Sequence, residues 1–324
     1  MSKKIFISGI AGHLGRALAK MLSEKGYEVL GNDILSRENA RFVLDFSKIT
    51  YLWKGSEDLE LEDLAGVDIV INCAAQADRP MGITSPFYTI YDNLMPLVHL
   101  LELCRKIKIE KFLHPGSGTT YIGMPEELLP ATEKTTPEPK NPYSASKYCQ
   151  DIICQCYRFC HGVPVVTMRS GMVVGVPMRL DIVIPIWIMR ALKNEPILVY
   201  GANVSRTPTD SRDVMKYWLA IVEAEPSKVV GKIFHTVFPT NKDQKAEYTL
   251  LEMAEMVRRI TNSVSEIKIL EPAKGELVNG KEAREWIIST TAEELGVKPE
   301  FTLEQSIIDI TEWIKKVYDY KNKN

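Results

Sequence analysis

Tyr143 and Lys147 stand four residues apart in Asn141-Pro142-Tyr143-Ser144-Ala145-Ser146-Lys147. On a helix that spacing puts a phenol and an ammonium on one face about one turn apart. Pro142 favours an extended residue before it and suits the first helical turn, so the pair is expected at a helix start. A phenol with a pKa of ~10 is a poor base near neutrality. A lysine cation beside it favours the phenolate, which suits proton transfer to or from a secondary alcohol. Tyr and Lys are also common on plain helix surfaces, so the elements that would position them must decide.

The segment Lys4-Ile5-Phe6-Ile7-Ser8 predicts a short strand, followed at once by Gly9-Ile10-Ala11-Gly12-His13-Leu14-Gly15. A helical pattern through Ala17, Leu18, Met21 and Leu22 then runs to Gly26. Strand, glycine turn and helix in this order can cradle a dinucleotide. Gly9 would allow the tight turn, Gly12 would let backbone approach a diphosphate, and Gly15 would let helix and strand pack closely. The spacing is Gly-x2-Gly-x2-Gly, not the Gly-x-Gly-x2-Gly of the usual fingerprint. A second strand, Glu28–Asp33, ends in an acid that can accept both ribose hydroxyls and repel a 2′-phosphate. The expected cofactor is therefore NAD, with Arg37 nearby leaving NADP as the alternative. Arg41-Phe42-Val43-Leu44-Asp45 reads as a third strand whose Asp45 could reach an adenine amino group.

Val67 to Ala75 predicts a strand apolar on both faces that ends in small residues, as a parallel strand covered by helices would. Further strands are expected at 111–117 and 163–168, with helices at 85–106 and from Tyr143 onward. The alternation gives an α/β fold, a Rossmann-type doubly wound parallel sheet that binds ligands at its carboxyl edge. The expected bounds are 1–175 for the NAD-binding domain, with 206–240 rejoining it. Segments 176–205 and 241–324 form a smaller C-terminal α+β substrate lobe.

Composition sets limits on function. The chain has 324 residues, 45% of them hydrophobic and 25% charged, which is enough for a large core. A net charge of −2 without a basic block makes nucleic acid an unexpected partner. No apolar run is long enough for a signal-peptide core or a membrane span, so a soluble cytoplasmic protein is expected. Six cysteines include four on the Tyr143 helix, and the stripe of Cys149, Cys156 and Cys160 with Ile152 and Ile153 is expected to be reduced core. No metal site is expected.

Together these motifs resemble the extended short-chain dehydrogenase/reductase family, in its NAD-dependent epimerase/dehydratase group, over nearly the whole chain. The Gly9–Gly15 turn looks like the family's nucleotide turn, and Asn72-Cys73-Ala74-Ala75 like its small-residue strand end. Ser117-Gly118-Thr119-Thr120-Tyr121 resembles its serine segment, Tyr143-x3-Lys147 its active-site pair, and Arg206–Val214 its arginine segment. The resemblance implies Ser117, Tyr143 and Lys147 as catalytic. For the cofactor it implies Gly9, Gly12, His13, Leu14, Gly15, Asp33, Asp45, Phe46, Cys73, Ala74, Ala75, Asn93 and Ser170 beside Tyr143 and Lys147. For the substrate it implies Arg79, Ser117, Thr119, Arg206 and Lys274, and it implies a homodimer through two helices.

Within the family, sugar 4,6-dehydratases place Asp and Glu after the serine or threonine, uronate decarboxylases carry Glu, and carbon-3,5 epimerase-reductases carry Cys. Here Gly118 and Thr119 occupy those positions. A bare Ser-Tyr-Lys set suffices to oxidise one alcohol, turn the ketone and return the hydride, so the resemblance implies a nucleotide-sugar 4-epimerase. Met172 stands where related epimerases have a diphosphate-binding Asn, Ile122 replaces a glycine, and Lys274 is the only basic group near their late arginine. The alternative is a dehydrogenase or ketoreductase of another secondary alcohol.

Overall fold

The computed structural model describes residues 2–237, 245–271 and 284–321. From the N-terminus run β1 (Lys4–Ser8), α1 (His13–Glu24), β2 (Glu28–Asp33), α2 (Arg37–Ala40), β3 (Ile49–Trp53) and β4 (Ile69–Asn72). Next come α3 (Arg79–Thr84), α4 (Pro86–Cys104), β5 (Lys111–Ser117), α5 (Pro142–His161), β6 (Val165–Ser170) and β7 (Met172–Val174). The remainder is α6 (Val183–Leu192), β8 (Ile197–Tyr200), β9 (Ser205–Arg206), β10 (Pro208–Asp210), α7 (Ser211–Glu223), α8 (Pro226–Val229) and β11 (Ile233–His235). Past these lie β12 (Tyr248–Thr249), α9 (Leu250–Ile260), β13 (Ile267–Leu270) and α10 (Leu303–Lys321).

Seven strands form one sheet in the order β11-β6-β5-β4-β1-β2-β3. β1 pairs in parallel with both β2 and β4, so the chain reverses its direction of sheet growth between β1 and β4. The crevice outside the carboxyl ends of those two strands is where such sheets take ligands. β1 and β4 are buried on both faces, which explains their unbroken apolar runs.

One strand is corrected. Residues 41–45 form turns after α2, and the third strand is Ile49–Trp53 in parallel register with β2. The true strand alternates buried Ile49 and Tyr51 with exposed Thr50 and half-buried Leu52 before it ends at exposed Trp53, as an edge strand partly open to water does. Asp45 accepts hydrogen bonds from the backbone and hydroxyl of Ser47, and Phe46 stacks on Tyr51 beneath the Arg37 guanidinium.

The chain divides into two compact units. The first comprises Met1–Thr120, Asn141–Arg169 and Tyr217–Phe234; the second comprises Tyr121–Lys140, Ser170–Lys216 and His235–Asn324. These bounds differ from 1–175 with 206–240. Segment 121–140 sits with the second unit because Ala131 bridges Ile287 and the Glu133 carboxylate accepts from Ser289, Thr290 and Thr291. The first unit buries Phe6, Val70, Leu97, Leu101, Cys104, Phe112 and Val165 in one cluster. In the second, the two-stranded pairs β10-β7, β12-β9 and β13-β8 accompany α6, α9 and α10 around Trp187, Ile188, Val257 and Ile310.

The cysteine stripe is also corrected. Cys154 is buried, whereas Cys149, Cys156 and Cys160 are exposed, with Ile152 at 47% and Phe159 at 79% exposure. All six are free thiols, and α5 turns that face outward because its opposite face carries Lys147, Gln150, Asp151 and Cys154 into the interior. Leu97, Leu100, Leu101 and Cys104 of α4 are core.

Candidate active site

Asn141 caps α5: its side-chain oxygen accepts from the Ser144 N–H at 2.9 Å, and Pro142 fills the first turn. Tyr143 therefore sits at the mouth of the helix, half-buried, with Lys147 one turn deeper and 5% exposed. Gly82 of α3 lies so close that a Cβ there would be 3.0 Å from Tyr143 Cβ, so α3 walls one side of the phenol's stem. Ser117 ends β5 and its hydroxyl lies 2.8 Å from that of Thr119. Ser144 in turn donates to the Thr119 carbonyl at 3.0 Å, tying the serine segment to the first turn of α5. The Ser-Tyr-Lys residues thus come from β5 and α5 of the same unit.

Lys147 donates to Gln150 Oε1 at 2.5 Å, and the Gln150 amide donates to the Asn93 carbonyl of α4. The Asn93 side chain is fixed by the backbone N–H of Gln76 at 2.7 Å and by Ser146 at 2.8 Å. Burial pushes the Lys147 ammonium down to about 8, against the opposing pull of Asp151. Beside it at the end of β4, burial raises the Cys73 thiol to about 12, which leaves it an inert neutral group.

The glycine turn abuts this strand end. Gly9 has a φ of 66°, and a Cβ on it would stand 2.7 Å from Ala74 Cα. A Cβ on Gly15 would meet the Gly9 carbonyl oxygen at 2.2 Å, so His13, Leu14 and Gly15 start α1 pressed against β1. Asp33 closes the floor, accepting from Ala11 N and Leu35 N at 3.0 Å each. This backbone cradle, with no Cβ at the tight points and an acid at the β2 end, fits a dinucleotide. Cys73, Ala74 and Ala75 follow β4 along the same edge.

Other expected residues lie elsewhere. Arg79 opens α3, and its Nε is buried with no hydrogen-bond partner among the described residues. Ser170 and Arg206 belong to the second unit: the Ser170 hydroxyl pairs with that of Thr236 at 2.6 Å. Arg206 donates to the Ser205 carbonyl at 2.7 Å and faces the buried Glu285 carboxylate at 3.9 Å. Lys274 lies outside the described residues. Sequence reasoning missed Gln150 and Asp151, although both lie at the helical spacing from Lys147 that had singled out Tyr143. It missed Glu285 altogether, and no local pattern marks that residue.

Residues 5–236 match the model of the NAD-dependent epimerase/dehydratase family. The chain belongs to that family. Its cofactor is NAD. A Methanocaldococcus jannaschii protein assigned as a UDP-glucose 4-epimerase is 26% identical over 316 residues, 96% of this chain and 98% of its own. The GDP-6-deoxy-D-mannose reductase of Pseudomonas aeruginosa is 24% identical, covering 98% of this chain and 99% of its own. The solved UDP-glucuronic acid 4-epimerase of Bacillus cereus, in complex with UDP-glucuronic acid and NAD, superimposes with a TM-score of 0.85. It is 22% identical and covers 97% of this chain and 100% of that one. No described helix is long and apolar enough to cross a membrane.

Proposed function

We propose that this protein is a nucleotide-sugar 4-epimerase that oxidises its substrate transiently to a 4-ketone and returns the hydride to the other face. NAD supplies the hydride acceptor and donor. Tyr143 takes the hydroxyl proton as the alcohol is oxidised and gives it back on reduction. Lys147, held as a cation one helical turn away, favours the phenolate and binds the nicotinamide ribose. Ser117 hydrogen-bonds the same substrate oxygen, and Thr119 steadies the Ser117 hydroxyl. Asp33 holds the adenosine ribose, and Arg79 supplies positive charge for a diphosphate.

The observation that carries this reading is the chemistry of residues 117–119. Ser117 is followed by Gly118 and by Thr119, whose hydroxyl is engaged with Ser117, so this segment holds no acid or base for eliminating water. Oxidation and reduction at one carbon need none. Mass spectrometry of gently purified protein should find retained NAD, and incubation with UDP-sugars should form the epimer without NADH absorbance building up. Steady release of NADH would overturn the epimerase reading.

One observation favours the second reading, a dehydrogenase or ketoreductase of another secondary alcohol. Arg206 faces Glu285, so its positive charge is partly offset before any diphosphate arrives. We also place the protein in the cytoplasm as a homodimer. The exposed apolar residues Phe87, Tyr88, Tyr91 and Met95 of α4 and Ile152 and Phe159 of α5 support that assembly. Gel filtration with light scattering tests it.

A further inference from the structure

Three residues beyond Lys147 on α5, Gln150 is fully buried although its side chain carries both a donor and an acceptor. Its Oε1 accepts from the Lys147 ammonium at 2.5 Å, the one hydrogen bond that ammonium makes among the described residues. Its amide nitrogen donates to the backbone carbonyl of Asn93 on α4. The Asn93 side chain donates in turn to Ser146 Oγ at 2.8 Å, which brings the chain of bonds back to α5 one residue from Lys147. Asn93 also accepts from the Gln76 N–H at 2.7 Å and donates to the Gln76 carbonyl at 3.2 Å. Gln76 directly follows the Ala74-Ala75 end of the β4 segment, so the ring of contacts joins α5, α4 and the strand end within the first unit. Asn93, Ser146, Lys147 and Gln150 are all buried, and a buried polar ring with its partners in place holds one arrangement.

The neighbours dictate the residue type at 150. Turned over, the amide would set its NH2 against the ammonium and its oxygen against the Asn93 carbonyl, so one orientation alone satisfies both. A carboxylate would serve Lys147 but face Asn93 oxygen to oxygen. An apolar side chain of similar length would take the acceptor from the ammonium and the donor from the carbonyl, both in the interior. A glutamine that merely joined two helices would need the carbonyl alone, whereas here the amide oxygen is committed to Lys147. We propose that Gln150 is a positioning residue for Lys147: its amide gives the ammonium an acceptor on one side, anchors to the α4 backbone on the other, and so fixes the charge one turn below Tyr143. The proposal rests on the reading of Lys147 given above. The titratable and charged groups that face Lys147 are Tyr143, Asp151 and Cys154 on α5, Cys73 after β4 and His114 on β5. All of them stay in place when only residue 150 is changed.

The test is a 13Cε-lysine NMR titration of the full-length protein, with the Lys147 signal identified by its loss in Lys147→Arg. Gln150→Met removes the acceptor at similar length and should move the Lys147 midpoint down by about one to two pH units, the worth of a hydrogen bond to a charged group. Gln150→Glu should move it up, because a carboxylate at that place favours the ammonium. Ser146→Ala opens the same ring between α4 and α5 without touching the Lys147 bond, so it should leave the midpoint where it is. An unmoved midpoint in Gln150→Met, or a shift in Ser146→Ala as large as that of Gln150→Met, would overturn the proposal. Should Gln150→Met fail to fold, as judged by circular dichroism, Gln150→Glu decides, and a midpoint that stays or falls there overturns it. The titration uses no substrate, so it stays readable whatever alcohol is turned over. The reading of the site is judged apart from it, by whether Lys147→Met destroys turnover. In turnover assays Gln150→Met should lower kcat and shift the alkaline limb to lower pH with the KM of the sugar substrate unchanged, which damage to the substrate site would not do.

Discussion

The three glycines of the nucleotide turn make separable predictions, because the structure gives each a different neighbourhood. Gly12 has a φ of −66°, open to any residue, and a Cβ there would touch only the Gly9 carbonyl oxygen at 3.1 Å. Alanine at 12 loses some N-cap preference but reduces the freedom of the unfolded chain, so Gly12→Ala should leave stability within about 1 kcal/mol of the parent. Gly15→Ala is different. Its Cβ would sit 2.2 Å from the Gly9 oxygen and 2.8 Å from Ile10 Cα, both backbone, so α1 must move away from β1. Overpacking of that kind costs about 1–3 kcal/mol or more. For NAD the order reverses. A methyl at 12 would stand where the turn's N–H groups meet the diphosphate, and losing one charge-assisted hydrogen bond costs about 1.5–3 kcal/mol. That corresponds to roughly a 10- to 150-fold weaker Kd. Calorimetric titration of NAD into stripped protein, beside urea unfolding followed by circular dichroism, separates the two effects. The reasoning fails if Gly12→Ala binds NAD like the parent, or if it unfolds as early as Gly15→Ala.

Tyr143→Phe should retain NAD and lose turnover by about 10²–10⁴-fold, the usual worth of a positioned proton carrier, as measured by epimer formation on a UDP-sugar. Lys147 is charged below its midpoint of about 8 and neutral above it. Turnover should therefore fall as pH rises through that value, and a profile flat to pH 10 would contradict the assignment. Lys111 is buried and its ammonium donates to the carbonyls of Ile221, Val222 and Ala224 at the end of α7. Lys111→Met would orphan all three, which should lower the urea midpoint by the equivalent of about 3 kcal/mol or more with NAD affinity unchanged.

Much of the first unit was legible because its signals are local. Glycines mark the turn, a capped Asn-Pro start marks α5, and continuous apolar runs mark β1 and β4. The third strand is placed early because Arg41 to Asp45 carries a short apolar run, Phe42-Val43-Leu44, of strand type, while Ile49 to Trp53 offers another a few residues on. Only pairing with β2 distinguishes them. The outward cysteine face of α5 was misread for a related reason. Cysteine, isoleucine and phenylalanine are ordinary core residues, and nothing local says which side of an amphipathic helix meets the sheet. Glu285 and Glu133 were invisible because their partners are remote in sequence; Glu133 is held by residues 289–291.

The two faces of α5 predict that the chemistry and the proposed self-association can be altered independently. Tyr143, Lys147, Gln150, Asp151 and Cys154 recur at helical spacing along one side, and four of the five are buried. Cys149, Ile152, Cys156 and Phe159 recur along the other and are exposed. A side chain on the outer stripe points away from the reactive one, so it can change what covers the helix without altering the proton carrier's surroundings. Ile152→Lys together with Phe159→Lys should therefore weaken self-association in light scattering while the Lys147 midpoint and NAD affinity stay as in the parent. If those two substitutions moved the Lys147 midpoint, the helix would be transmitting strain between its faces, and the independence argued here would be wrong.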